Sequence, residues 1–467
     1  MPIPLSIAKF FIRTGIAQRL PAIKALVPDP SYLRYYSDRI LVAPNAPMAA
    51  MNEYLSRTTP DCIDLSLGAP SESELRPVLP PSEELFTGSQ YPAPVGMSEL
   101  REAVAAKLAR DNGIEADPRD EVSIVNGVSQ AIHVVFDTFV NPGDKVVLVD
   151  PTFLVYPLTA QYHRARIAWV RSSLVDGYTK LDERQLQRAM RGAKLVVVNS
   201  PSNPTGGMMD RDTLGQVFVL ARRHDVLVLS DEVYERYIYQ GEHTSIASFP
   251  GGRERTITVN SFSKSHAMAG CRIGYMAAIR HLMRPMTAHQ FIATPFAPVA
   301  SQRLALRALS ESPEKSQPVL AEYDARRRWL HRELQGMGLD CDLPAGAFYF
   351  WMPIGPFGMT SLQFAHRLLD SHKVLLMPGD NFGPSGAEHI RISYAAPLAK
   401  LQEGCRRLKR FLVEASASTT SVVRGPHSTS SHCGRSLAAS TARFTRNVCS
   451  PSASEQNGGA LPSTASR

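Results

Sequence analysis

Six short apolar runs, most of them separated by amphipathic helical stretches, constrain the fold of this chain more than any other feature. The runs cover 122–125, 145–150, 167–170, 194–199, 226–230 and 256–260, and stretches such as 131–140 and 211–223 carry the helical period. Strands that are apolar on both faces and alternate with helices predict an α/β fold, a mostly parallel central sheet with helices on both faces. Ligands of such sheets bind outside the carboxyl ends of the strands, so the residues just after each run are the first candidates for chemistry.

After the last run comes Lys264, set between Ser263 and Ser265, with Gly270, Arg272 and Gly274-Tyr275 downstream. A strand end holds an amine in a cleft, and burial there lowers a lysine pKa until the amine is a nucleophile toward carbonyl carbon. Ser261, Ser263 and Arg272 supply hydroxyl and guanidinium donors suited to a phosphate. A surface Ser/Lys loop followed by an ordinary strand is the plain alternative. After the fifth run, Asp231 closes a buried strand, where a carboxylate is costly unless a cation compensates it. Capping of the next helix would also account for Asp231 alone.

Other turns add to the set. Asn126-Gly127-Val128-Ser129 leads from the first run into a helix, whose free amides and positive dipole end suit an anion. Phe153 follows the second run, Asn203 lies in Ser200-Pro201-Ser202-Asn203-Pro204-Thr205-Gly206, and Tyr234 stands three residues beyond Asp231.

These motifs resemble the class I and II pyridoxal-phosphate aminotransferases, the fold type I superfamily, over about residues 50–414. The resemblance implies pyridoxal 5'-phosphate as cofactor, a Schiff base on Lys264, and amino-group transfer between an α-amino acid and a 2-oxo acid. It further implies that Asp231 holds the proton of the pyridine nitrogen and that Asn203 and Tyr234 meet the phenolic oxygen. Phe153 would stack on the ring, and Gly127, Val128, Ser129, Ser261, Ser263 and Arg272 would anchor the phosphate. Tyr91 would reach the phosphate of a neighbouring subunit in a homodimer. Gly68 and Arg391 would bind the substrate carboxylate, Arg391 as a bidentate clamp on a cleft-facing strand. A lyase or decarboxylase uses the same scaffold, and a regulator fused to a DNA-binding domain is a further reading. Only about 47 residues precede the body, too few and without the pattern of such a domain. Gly68-Ala69-Pro70 lacks the acid that commonly stands between glycine and proline in the family, which leaves substrate specificity open.

From about residue 312 long helical stretches replace the alternation, which predicts a smaller α+β domain of residues 29–66 and 312–414 beside a large domain of 67–311. Residues 1–28 read as a basic arm and 415–467, rich in Ser, Thr and Ala, as a disordered tail. The formal charge of +8 belongs to these ends, +4 in each, which leaves the body neutral and argues against nucleic acid as a partner. The longest apolar runs are too short to cross a bilayer, so no stable membrane insertion is expected. Six cysteines without metal or disulfide spacing point to a reducing compartment and a cytoplasmic protein.

Overall fold

A computed structural model describes residues 54–70, 75–77, 79, 85 and 91–423. The arm, residues 29–53 of the smaller domain and the chain beyond 423 lie outside the described residues. Among the described residues thirteen strands follow one another. β1 (Ile63–Asp64) precedes the strands of the main sheet: β2 (Val122–Val125), β3 (Lys145–Asp150), β4 (Arg166–Val175), β5 (Tyr178–Leu181), β6 (Leu195–Asn199), β7 (Leu227–Asp231), β8 (Thr256–Ser261) and β9 (Gly274–Ala277). The last four are β10 (Tyr349–Pro353), β11 (Val374–Leu375), β12 (Met377–Pro378) and β13 (His389–Ser393).

The main sheet runs β2-β9-β8-β7-β6-β3-β4-β5, with β8, β7, β6, β3 and β4 mutually parallel. Its strands sort their side chains by the two-residue period. Val146, Leu148, Val197, Leu229 and Ile257 pack on one face with Ile132, Val135 and Phe136 of the helix Val128–Phe139. Val147, Val196, Val198 and Val228 pack on the other with Leu214, Val217 and Phe218 of the helix Arg211–Arg223. A sheet covered on both faces is thus built by strands with no polar face to spare.

The sheet is mostly parallel as expected, with antiparallel pairings toward its two ends. β9 is antiparallel to its neighbours β8 and β2, and β5 is antiparallel to β4. Neither stands out as an apolar run, because Gly274-Tyr275-Met276-Ala277 is short and Tyr178-Thr179-Lys180-Leu181 is half polar. Within the apolar stretch 61–70 only β1 is a strand, and it pairs with β11. Gly68 and Pro70 end any ladder there.

A second layer forms around β10, β13 and β12, covered by the helices Gln317–Gly336, Ser361–His372 and Leu398–Val423. The last helix continues through Glu414, and Ala415 is buried in the same core. The expected start of disorder at 415 therefore falls inside a helix, whose apolar period up to that point was overshadowed by the Ser/Thr content that follows. No helix among the described residues is long and apolar enough to cross a membrane.

Candidate active site

The carboxyl ends of β6, β7 and β8 lie side by side, with Asn199 opposite Asp231 and Asp231 opposite Val259. They floor a cavity of about 330 Å³. The chain around it brings together Gly68, Val128, Ser129, Phe153, Asn203, Asp231, Tyr234, Ser261, Ser263, Lys264, Arg272 and Arg391. Gly127 stands just outside as the residue before the helix Val128–Phe139. Tyr91 is not among the lining residues; its ring is exposed and lies 5.0 Å from that of Phe296.

Asp231 is buried, and its two oxygens are engaged separately. Tyr156 Oη donates to Oδ2 at 2.6 Å, and the Val233 amide donates to Oδ1 at 3.2 Å. Burial pushes its carboxyl up to about 6, against the pull of those two donors. Lys264 Nζ donates to the Gly68 carbonyl. Burial, reinforced by the Arg391 and Arg272 cations, lowers the Lys264 ammonium to about 8. An acid pushed up and an amine pushed down in one cavity are ready to exchange protons near neutral pH.

Arg391, on β13, reaches in from the second layer. Nη1 donates to Asn203 Oδ1 at 2.8 Å and Nη2 to the Ser66 carbonyl at 2.5 Å, while the buried Nε has no partner. Its guanidinium carbon lies 4.6 Å from the Tyr349 ring centre and 5.0 Å from that of Phe382. A buried donor left over from a fork that binds carboxylates well is a strong attraction for an anion. Tyr234 Oη lies 2.8 Å from Tyr349 Oη, and Asn203 Nδ2 donates to Tyr234 at 3.5 Å. The Asn203 amide nitrogen donates to Asn199 Oδ1 at 2.9 Å, which fixes that turn to the end of β6.

A second anion-binding corner opens between β2 and β8. The helix Val128–Phe139 has no acid in its first turn, so its free amides face the corner uncompensated. Gly127 has φ +81°, and a Cβ there would come within 2.7 Å of Arg272 Nη2. Arg272 itself is left-handed at φ 49°, with Nη1 donating to the Ala269 carbonyl at 3.0 Å. Ser261 Oγ lies 2.8 Å from Ser263 Oγ, which puts two hydroxyls beside the guanidinium side of the corner.

Tyr156 and Tyr349 belong to this site and carry no motif of their own. Tyr156 sits in an unremarked Val-Tyr-Pro at the start of a helix, and the only available signal was that a buried Asp231 needs a donor. Tyr349 opens β10, and nothing in its apolar surroundings marks its hydroxyl as part of a site. Its hydroxyl closes against Gly68, where a Cβ would overlap the oxygen at 1.9 Å.

Residues 60–408 match the family described as Aminotransferase class I and II. Aspartate aminotransferase of Pyrococcus abyssi is 35% identical over 76% of this chain and 92% of its own length. Aromatic-amino-acid aminotransferase 2 of Thermococcus litoralis is 34% identical over 70% and 85% respectively. Among solved structures, that of Thermus thermophilus aspartate aminotransferase with maleate gives a TM-score of 0.72 at 30% identity, covering 80% of this chain and 99% of the other. With the family matched over most of its length and relatives of this similarity covered almost end to end, the chain belongs to the class I and II aminotransferases.

Proposed function

We propose that this aminotransferase binds pyridoxal 5'-phosphate in the 330 Å³ cavity and uses it to move an amino group between an α-amino acid and a 2-oxo acid. The observation that carries the reading is the pairing of an amine lowered to about 8 with a buried carboxyl raised to about 6 in one cavity. When bound, the cofactor supplies an aldehyde carbon for an amine and a ring that withdraws electrons from the bonds at the α-carbon.

The donor set fits that group. Lys264 Nζ would be the attachment amine, and as a base it would take the proton from the substrate α-carbon. Asp231 holds a proton at the ring nitrogen, kept in line by Tyr156 and the Val233 amide. Asn203 and Tyr234 would meet the phenolic oxygen, and Phe153 would cover a ring face. Gly127, Val128, Ser129, Ser261, Ser263 and Arg272 would hold the phosphate in their corner. Gly68 and Arg391 receive the substrate carboxylate. Reduction with borohydride followed by peptide mapping tests the assignment: the pyridoxyl label is expected on Lys264, and a label on any other lysine overturns it.

Two further outcomes follow from the anion sites. Arg391→Ala is expected to raise KM for the amino acid by roughly 10–100-fold, since charge-assisted hydrogen bonds contribute about 1.5–3 kcal/mol. Cofactor absorbance should remain, and steady-state kinetics beside a cofactor titration separate the two effects. Gly127→Ala must place a side chain at φ +81° and against Arg272. Strain of about 1–3 kcal/mol is expected to weaken cofactor binding by roughly 5–150-fold, measured by equilibrium titration of the cofactor-free protein.

We also propose a homodimer, in which the exposed ring of Tyr91 meets the partner's phosphate corner. Sedimentation equilibrium at working concentrations should give twice the 51.3 kDa chain mass, and a monomeric active species would remove this assignment. A cytoplasmic location fits the free thiols of Cys62, Cys271, Cys341 and Cys405.

A further inference from the structure

On the face of β7 turned away from the cavity, the strand end that carries Asp231 holds a second buried acid. Ser230 and Glu232 lie two residues apart and point to the same side, opposite Asp231. Ser230 Oγ donates to Glu232 Oε1 at 2.8 Å, and Ser245 Oγ donates to the same oxygen at 2.6 Å. Oε2 accepts from Asn112 Nδ2 at 3.0 Å and lies 3.1 Å from His243 Nε2. The Glu232 amide donates to the Val259 carbonyl at 3.0 Å, which extends the β7–β8 pairing past Asp231. Every side chain that touches this carboxyl can donate to it, so it acts only as an acceptor, the role of an ionised carboxylate.

The surrounding charges leave that anion with one close counter-charge. Lys107 pairs with Glu235, and Asn112 bridges the two acids by donating to Glu235 Oε2 at 2.7 Å. Asp111, Arg236 and His266 stand around the adjoining small cavity, where Arg236 Nη1 donates to the Ser265 carbonyl at 3.1 Å. Glu232, Glu235 and His243 have the ligand spacing for a cation. The Lys107 ammonium, which donates to Asn112 Oδ1 at 2.7 Å and to Glu235, already supplies one. That leaves His243, whose Nε2 faces Glu232 and whose imidazole is held above its ordinary value by that carboxyl against the effect of burial, as the group beside Glu232 that can carry a positive charge.

We propose that Glu232 is a positioning residue for the reaction: its carboxylate, fixed one residue along from Asp231 on the opposite face, tightens Asp231's hold on the ring-nitrogen proton. His243 sets the size of the effect by partly cancelling the charge. The inference rests on the cofactor reading above. Its physical basis is that a charge in a buried, weakly polarisable surround acts across the width of a strand, and a second negative charge disfavours loss of a shared proton. Asp231 and the ring nitrogen share that proton, so the midpoint that moves belongs to the pair.

The test loads the full-length protein with pyridoxal phosphate labelled with ¹⁵N in the ring and follows the nitrogen signal with pH, across the range in which the protein stays folded. Glu232→Gln keeps the shape and removes the charge, and is expected to lower the midpoint by about one pH unit. Glu232→Asp keeps the charge and should stay near the wild-type midpoint. His243→Asn removes the counter-charge and should extend the protonated plateau to higher pH. An unmoved midpoint in Glu232→Gln, or an equal fall in Glu232→Asp, overturns the proposal, because a purely structural bolt would respond to shape and not to charge. If Glu232→Gln does not fold, His243→Asn decides alone, and an unmoved or lowered midpoint there overturns it. Wild-type protein that takes up no label would instead overturn the cofactor reading, and this inference with it.

Discussion

Lys264→Ala is expected to abolish covalent attachment of the cofactor and to reduce transamination to background, the largest effect of any single substitution in this chain. Among the described residues no other lysine lines the cavity. Absorbance of the protein-bound cofactor should revert to that of the free aldehyde, and turnover should fall by about 10⁴-fold or more, since the proposed nucleophile and base would be lost together. The same substitution is expected to stabilise the cofactor-free protein. Its Lys264 ammonium titrates at about 8 instead of 10.5, so the folded chain binds this proton less tightly than the unfolded chain. The resulting penalty is absent above pH 10.5, grows as pH falls toward 8 and is complete below that, at most about 3 kcal/mol. Urea unfolding of the cofactor-free proteins at pH 7 should show the variant as the more stable, with the difference vanishing at high pH. Retained activity, or equal stability at both pH values, would contradict the environment described for the amine.

Asp231→Asn is expected to retain the cofactor and lose turnover by about 10²–10³-fold or more, because an amide cannot hold the ring proton through its negative charge. Proton exchange at the substrate α-carbon, followed by deuterium wash-in, reads the lost step directly, and near-normal exchange would reduce Asp231 to a structural cap. Here too the site works against the fold. The folded carboxyl titrates at about 6 and the unfolded one at 3.8, so the folded chain binds the proton more tightly. Its contribution is favourable at low pH and is lost as pH rises from 3.8 through 6. At pH 7 the cofactor-free protein therefore carries both penalties, a buried cation and a buried anion, and a bound cofactor with charges of its own is what such a cavity accommodates.

The parts of the sheet that could be read from the sequence are those in which one strand suffices. A run such as Leu195–Asn199 is apolar throughout because both of its faces are covered, and it announces itself without knowledge of its neighbours. β5 and β9 are strands only because β4 and β8 offer them an edge, and that information is tertiary. The same division runs through the site. Lys264, Arg272 and Gly274 stand in one short motif, and Asp231 and Tyr234 in another, so their proximity follows from the order of parallel strands. Tyr156 reaches Asp231 from 75 positions away, and Arg391 reaches Asn203 from 188. Arg391 is marked by the family resemblance of its surroundings, Ile390-Arg391-Ile392-Ser393-Tyr394, whereas Tyr156 has no neighbour that betrays its bond to Asp231. Glu232 was in view beside Asp231 throughout, yet its role depends on Asn112, His243 and Ser245, which only the fold assembles.

The pairing of β1 with β11 also bears on how the protein is made. Tyr54 Oη donates to the Leu376 carbonyl from 322 positions away, and the Ser393 amide donates to the Leu65 carbonyl. A chain emerging from the ribosome can complete the eight-stranded sheet, with Lys264, Asp231 and the phosphate corner in place, well before the segment that holds Arg391 has been synthesised. Contacts this distant in sequence form late and slowly. During that interval the segment around Ser66 and Gly68 has no strand to pair with, and on the reading proposed above the nascent protein would be a half-built enzyme, with the residues assigned to the cofactor in place and Arg391, assigned to the substrate carboxylate, still missing.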